Sequence, residues 1–329
     1  MKRIFSVIAV LALAFALGSC REDGPPLSPE EAAANWPSRG ITVISTHGAG
    51  GDTDFNARLI SRFLERDLGV SVTVVNVTGG NGNIAMSQFR NGPSDGYTFI
   101  MTNTAALSGN EATGMADFGW DAFEPVSIFG RQSGENIVVS ADSPFTTLTE
   151  LIEGSKANPG AMRFGISIGG GVHTAFIIMQ ETAGAQFTAM DTGDGAARLI
   201  SLLGNHVEVT ILPFATARDH IETGSLRALS TILSERPALI PDIPTAREQG
   251  YTDLVIDTMY VALAPRGTNS LIVERMNAAI LNVIDNDPEF RAEVNRFNLQ
   301  EPWGLSIQET MVTLEEQRRH FMRFSEFFR

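Results

Sequence analysis

From Ile41 onward, short β-branched apolar runs alternate with longer stretches in which apolar residues recur every three or four positions. "ITVIS", Ile41–Ser45, predicts a buried strand. Asp54 to Asp67 places Phe55, Leu59, Phe63 and, one step round, Leu64 on one helical face, with Gly69 positioned to end the helix. "VSVTVVNV" predicts a second strand, and "TGGNGN" a turn into a short helix through Phe89. "SDG" then turns the chain into "YTFIMT", Tyr97 to Thr102. Strand, helix, strand, helix, strand implies a parallel sheet with right-handed crossovers.

The pattern restarts. "NIVVS" predicts a strand, and Thr147 with Glu150 a capping box for a helix through Ala157. "MRFGIS" leads through "IGGGVH" to a helix from about Thr174 to Thr182. After "FTAM" come a helix from Gly195 to Leu203, closed by Gly204, and the strand "VEVTIL". A last strand, "MYVALAP", precedes helices from about Asn269, Pro288 and Ile307. Phe321, Phe324 and Phe328 stand at helical spacing and read as packing. Two similar α/β halves with closing helices suggest a clamp whose cleft lies where strand C-termini from both halves face each other.

The N-terminus departs from this grammar. Lys2 and Arg3 precede a nearly unbroken apolar run from Ile4 to Leu17, too short for a comfortable membrane span and suited to a secretory signal. Cys20 is the only cysteine, so no internal disulfide can form. Its setting, "LGSC", resembles a bacterial lipobox, which implies cleavage before Cys20 and lipidation of its thiol. A polar, proline-bearing tether follows to about Gly40. The net charge of −14 argues against nucleic acid or an anionic membrane face as partner.

Candidate chemistry centres on glycine-rich loops behind strands. "HGAGG", His47–Gly51, lacks the third small residue of a dinucleotide loop, and no G-K-[ST] triplet exists for a phosphate loop. "GISIG" matches G-x-S-x-G with Ser167 at the nucleophile position, and "HGAGG" resembles an oxyanion segment, so a secreted serine hydrolase is one reading. Gly169-Gly170-Gly171 disfavours a helix starting directly behind that serine. His206, His220 and His320 do not sit in an obvious late loop. The other reading needs no reaction. A glycine loop entering a helix presents unpaired N–H groups and the positive end of a dipole to an anion. His47–Thr53, Thr78–Asn83 and Gly169–His173 offer such loops, with hydroxyls or amides at Ser45, Thr53, Thr78, Thr102, Asn103, Thr104 and Ser167.

At these residues the chain resembles the substrate-binding proteins of tripartite tricarboxylate transporters, the Bug receptors. "GAGGDTDFNARLI" is similar to the family's glycine loop and Asp-x-x-Ala-Arg helix start, carried by Asp54, Ala57 and Arg58. "VTVVNVTGGNGNIA", "PSDGYTF", "DAFEPVSI", "GDGAARLISLLGNHVEV" and "IPDIPTAREQGY" resemble later signatures in the same order. The resemblance spans Ile41 to the C-terminus. Thr46-His47 stand where the family usually has proline before the glycines, and Asp191 where many members have an aromatic residue.

The resemblance implies an α/β, two-lobed periplasmic-binding-protein-like clamshell of type II, each lobe a mostly parallel sheet flanked by helices. Residues 1–19 would be the signal and 20–40 the lipid-anchored tether; 41–137 with 260–329 form one lobe and 138–259 the other. It implies a periplasmic receptor, a monomer anchored through Cys20, that takes a small di- or tricarboxylate to a membrane permease without metal, cofactor, nucleic acid or reaction. The implied ligand contacts are His47, Gly48, Ala49, Gly50, Gly51, Thr53 and Asp54 in the first loop. Thr78, Gly80, Asn81, Gly82 and Asn83 form the second, and Thr102, Asn103 and Thr104 the third. Ser167, Gly169, Gly170, Gly171, Val172 and His173 face them from the other lobe, with Asp191 and Asp194 beside. Structural alternatives stand beside these. Asp54 can serve the helix dipole, Arg58 an ion pair, His173 a helix cap, and Asp191 a bond to its neighbouring loop.

Overall fold

The computed structural model describes residues 28–193, 195–237, 240–298 and 302–328. The signal-like run, Cys20 and Asp194 lie outside the described residues. The chain divides into a unit of residues 1–36 and a unit of residues 37–329. In the first, a short helix α1, Pro29–Ala34, stands inside the segment expected as tether. Its cause is local: Ser28 Oγ accepts from Glu31 N at 3.1 Å and Glu31 Oε2 accepts from Ser28 N at 2.9 Å, a capping box with proline in the first turn. No helix among the described residues is long and apolar enough to cross a membrane.

The second unit holds two five-stranded sheets. The first contains β1 (Ile41–Ser45), β2 (Val72–Asn76), β3 (Thr98–Asn103), β4 (Phe123–Arg131) and β10 (Met259–Pro265), in the order β2-β1-β3-β10-β4. The second contains β5 (Glu135–Ser140), β6 (Arg163–Ile166), β7 (Thr188–Asp191), β8 (Val209–Pro213) and β9 (Leu226–Thr231), in the order β7-β6-β8-β5-β9. In each, three strands run parallel, and the fourth in order is antiparallel to both neighbours. That reversed strand, β10 or β5, is the one the chain enters from the other sheet. The crossovers are residues 132–134 and the segment before Met259. They lie side by side, with Gln132 N donating to Thr258 O at 2.9 Å.

Strands buried on both faces carry the unbroken apolar runs: every residue of β8 and β10 is buried, whereas the edge strand β7 is exposed throughout. Helices follow the parallel strands: α2 (Asp52–Leu68) after β1, α3 (Asn83–Phe89) after β2 and α4 (Thr104–Ala112) after β3. In the second half come α5 (Leu148–Ala157), α6 (Gly171–Ala183), α7 (Gly195–Leu203) and α8 (Phe214–Glu222). The closing helices are α9 (Ser270–Asn286), α10 (Pro288–Asn298) and α11 (Ile307–Met322). Arg66 pairs with Asp287 and Arg62 with Glu293, joining α2 to α10 around the Phe63–Phe290 edge contact at 5.4 Å.

The last helix serves both cores. Leu314 packs with Ile44, Ile100 and Val261 of the first sheet, while Phe321 and Phe324 pack with Ile137, Phe164 and Ile211 of the second.

Candidate functional site

Within this unit, the loops that follow β1, β2, β3, β6 and β7 converge on a cavity of about 530 Å³. His47 to Asp52, Thr78, Asn81, Gly82 and Asn103 line it from the first sheet. Ser167, Gly170 to Val172, Gly195 and Arg198 line it from the second, and Gln132, Glu135 and Thr258 lie at the crossovers. Two long helices open onto it: α2 behind Gly51 and α6 behind Gly170, neither with a side-chain cap on its first amides. Amides and dipoles of this kind favour an anion.

The first loop is held from behind. Asp54, buried one turn into α2, accepts from Gly50 N at 3.0 Å, Arg58 Nε at 2.9 Å and Asn76 Nδ2 at 2.6 Å. Asn76 Nδ2 also donates to His47 O at 2.8 Å. Burial pushes the Asp54 carboxyl up, but Arg58, Asn76 and the Gly50 amide together hold it below the usual range. Asp54 and Arg58 therefore brace the loop.

His47 is fixed by a hydroxyl chain. Thr46 Oγ1 donates to Thr102 Oγ1 at 2.8 Å, so its contact with His47 Nδ1, also 2.8 Å, is donated by the ring. Nε2 lies between Asn103 Nδ2 at 3.4 Å and Asn81 Oδ1 at 3.5 Å, and in this tautomer accepts from Asn103. Burial lowers the imidazole pKa more than Asp52 raises it, so the ring is neutral at pH 7. The second loop crosses the cleft: Asn81 Nδ2 donates to Gly169 O at 3.1 Å, and Asn110 Nδ2 donates to Asn81 O at 3.0 Å. Gly82 adopts φ 83°, and a Cβ there would meet the Thr46 side chain at 3.0 Å, so this close approach admits only glycine.

Several expected residues act in this frame rather than on the cavity wall. Thr102 takes the Thr46 hydroxyl, Thr104 Oγ1 accepts from Met259 N at 3.1 Å, and Thr53 Oγ1 accepts from Asn103 Nδ2 at 3.3 Å. Gly80 and Gly169 shape their turns with φ of 56° and 81°. Asn83 Nδ2 donates to Met115 O at 2.6 Å. His173 Nδ1 accepts from Gly169 N at 3.4 Å and its ring meets Phe328 edge-on at 5.1 Å, a capping and packing role. Asp191 lies on the exposed edge strand, where Oδ1 accepts from Gly193 N at 3.3 Å.

Ser167 lines the cavity, but among the described residues no hydrogen bond joins it to a histidine, and Ile168, Gly169 and Gly170 separate it from α6. A nucleophile elbow is not formed.

Sequence reasoning missed the polar group at the crossovers: Asp52, Gln132, Glu135 and Arg198. All but Gln132 carried a signal. Glu135 is an acid opening a buried strand, Arg198 interrupts an otherwise apolar helix, "GAARLISLL", and Asp52 opens α2 beside the loop.

A family model described as tripartite tricarboxylate transporter family receptor matches residues 56–325. Protein BugT of Bordetella pertussis is 29% identical over 252 residues, covering 75% of this chain and 77% of that protein. The UPF0065 protein in the gbd 5' region of Cupriavidus necator is 29% identical over 287 residues, 85% of each chain. Among solved structures, an R. palustris protein with adipate superimposes with TM-score 0.79 at 26% identity, covering 89% of this chain and 98% of that one. The periplasmic binding protein BugD shares the fold, with TM-score 0.77 at 21% identity, over 89% of this chain and 98% of that one. Paired sheets, a cavity between glycine loops and a family match over most of the length lead to one conclusion: the chain belongs to the tripartite tricarboxylate transporter receptor family, solute-binding receptors rather than enzymes.

Proposed function

We propose that this receptor binds a small di- or tricarboxylate between its two lobes and delivers it to the membrane permease of a tripartite tricarboxylate transporter. The observation that carries the reading is the cavity onto which α2 and α6 both open without side-chain caps. Amides of the His47–Gly51 and Gly170–Val172 loops would hold a carboxylate, with Thr78, Asn103 and Ser167 adding hydroxyl or amide contacts. Adipate in the R. palustris relative is of this ligand class. The first sheet with its helices would move as one lobe against the second, hinged at residues 132–134 and the segment before Met259. The lobe boundary would thus fall before β5 rather than between residues 137 and 138, because β5 starts at Glu135. The protein would work in the periplasm as a monomer, tied to a membrane through a lipid on Cys20 after loss of residues 1–19.

A thermal-shift screen against di- and tricarboxylates tests the reading. A ligand at a hundred times its Kd adds about 2.7 kcal/mol to stability, which raises Tm by several degrees for a chain of this size. A shift with a carboxylate, retained by Ser167→Ala, supports it. A flat panel, with ester hydrolysis that Ser167→Ala abolishes, would overturn it.

A further inference from the structure

At the crossover end of the cavity three acceptor-bearing side chains meet. Asp52 opens α2, Gln132 lies in the first crossover and Glu135 opens β5. Gln132 is 5% exposed and Glu135 9%. Asp52 Oδ2 accepts from Gln132 Nε2, and from the Tyr260 hydroxyl at 3.1 Å. The other amide atom, Gln132 Oε1, is buried without a hydrogen-bond partner, and so is Glu135 Oε2. Arg198 also lines this end: its Nε donates to Ile211 O at 3.0 Å and its Nη1 to Gly193 O at 2.9 Å, and its charge partly offsets that of Glu135. Among the described residues no lysine lines the cavity.

Two buried acceptors without hydrogen-bond partners are costly while the cavity is empty. A ligand carboxylate would bring further acceptors and another negative charge. An ammonium brings several N–H donors and the opposite charge. We propose that this end of the cavity is a cation subsite, and that the ligand is a small carboxylate carrying a protonated amine. The loop amides take its carboxylate, and Asp52, Gln132 and Glu135 take the ammonium. This rests on the receptor reading above and narrows its ligand class.

The groups facing Glu135 give the subsite a pH signature. They are Asp52 from α2, Arg198 from α7 and Tyr260 from β10. Burial pushes the Glu135 carboxyl up to about 7, with Arg198 opposing and Asp52 reinforcing. Burial and the nearby acids hold the Tyr260 phenol well above its ordinary range, so it stays neutral. An ammonium against Glu135 favours the ionised carboxyl. Its binding therefore displaces a proton below pH 7 and weakens about tenfold from pH 8 to pH 6. A second carboxylate placed there would bind better at the lower pH.

Calorimetric titration of the purified protein with matched acids tests this: succinate, malate and aspartate; glutarate and glutamate; adipate and 2-aminoadipate. The expected result is an amino acid binding at least tenfold tighter than its unsubstituted and hydroxylated counterparts. That preference should be lost in Glu135→Gln, and binding should be about tenfold weaker at pH 6 than at pH 8. An unsubstituted or hydroxy acid binding as tightly as its amino partner, or more tightly at pH 6, overturns the cation subsite and leaves the receptor reading standing. No binding by any member overturns both. Should Glu135→Gln fail to fold, the pH series on the unsubstituted protein decides alone.

Discussion

At the scale of single residues, the site is precise because its loops are fastened from behind. Asp54 touches no cavity, yet it receives three hydrogen bonds that set the path of His47–Gly51. Asp54→Asn keeps the shape and loses the charge. With hydrogen bonds to a charged group worth about 1.5–3 kcal/mol each, and Arg58 half exposed, the expected loss is about 2–3 kcal/mol at pH 7. The folded carboxyl titrates below its unfolded value of about 3.9. Its stabilisation is thus full above that value and disappears as pH falls through the folded one. Urea unfolding should show the gap between the native protein and Asp54→Asn closing below pH 4. A gap that stays constant would show that Asp54 acts through packing alone.

At the scale of elements, the sequence predicts α11 as a helix, but not that the segment it opens reaches from the first core into the second. Phe324, just past the end of α11, is 4% exposed in the second sheet's core, although the helix leading to it packs Leu314 against the first. Phe324→Ala should cost about 3–4 kcal/mol, while Phe327→Ala, 42% exposed, should stay within about 0.5 kcal/mol. Equal midpoints in urea would contradict this placement. Most elements are legible in the sequence because their apolar period is clean: Ile41–Ser45, Val209–Pro213 and Met259–Pro265 are short runs with turns at both ends. Others are not. Thr104–Ala112, "TAALSGNEA", is small and polar in composition yet buried almost throughout, because Gly109 lets it approach the Gly169 carbonyl, where a Cβ would lie 2.6 Å away. Phe123–Arg131 hides its strand character behind Pro125. The glycine loops of the site were legible because the local pattern of strand, glycine and helix defines them. The Asp52–Gln132–Glu135 group was not, since its members are distant in sequence and meet only where the chain passes between the sheets.

At the scale of the body formed by residues 37–329, the topology concentrates motion. Among the described residues, the two adjoining crossovers join the sheets through the chain, and α4 and the C-terminal segment pack against both cores. Asn81 to Gly169 is a side-chain latch across the cleft. On the proposed reading, ligand bound between the lobes would shift an open–closed equilibrium. If the latch contributes about 1 kcal/mol to the closed arrangement, losing it lowers the closed-to-open ratio about fivefold. Asn81→Gly removes the latch without backbone strain, because Asn81 sits at φ 51°, where glycine is unstrained and alanine is not. The ligand-free radius separates the latch from Asn81's place on the cavity wall. The Asn110 bond to the backbone at this position survives the change. The substituted protein should bind ligand up to about fivefold more weakly with almost unchanged Tm. Its ligand-free small-angle scattering should report a larger radius of gyration than the native protein, and saturating ligand should bring the two together. Weaker binding with an unaltered ligand-free radius would make Asn81 a ligand contact and not a latch. A lowered Tm would place its bond among those that hold the fold itself.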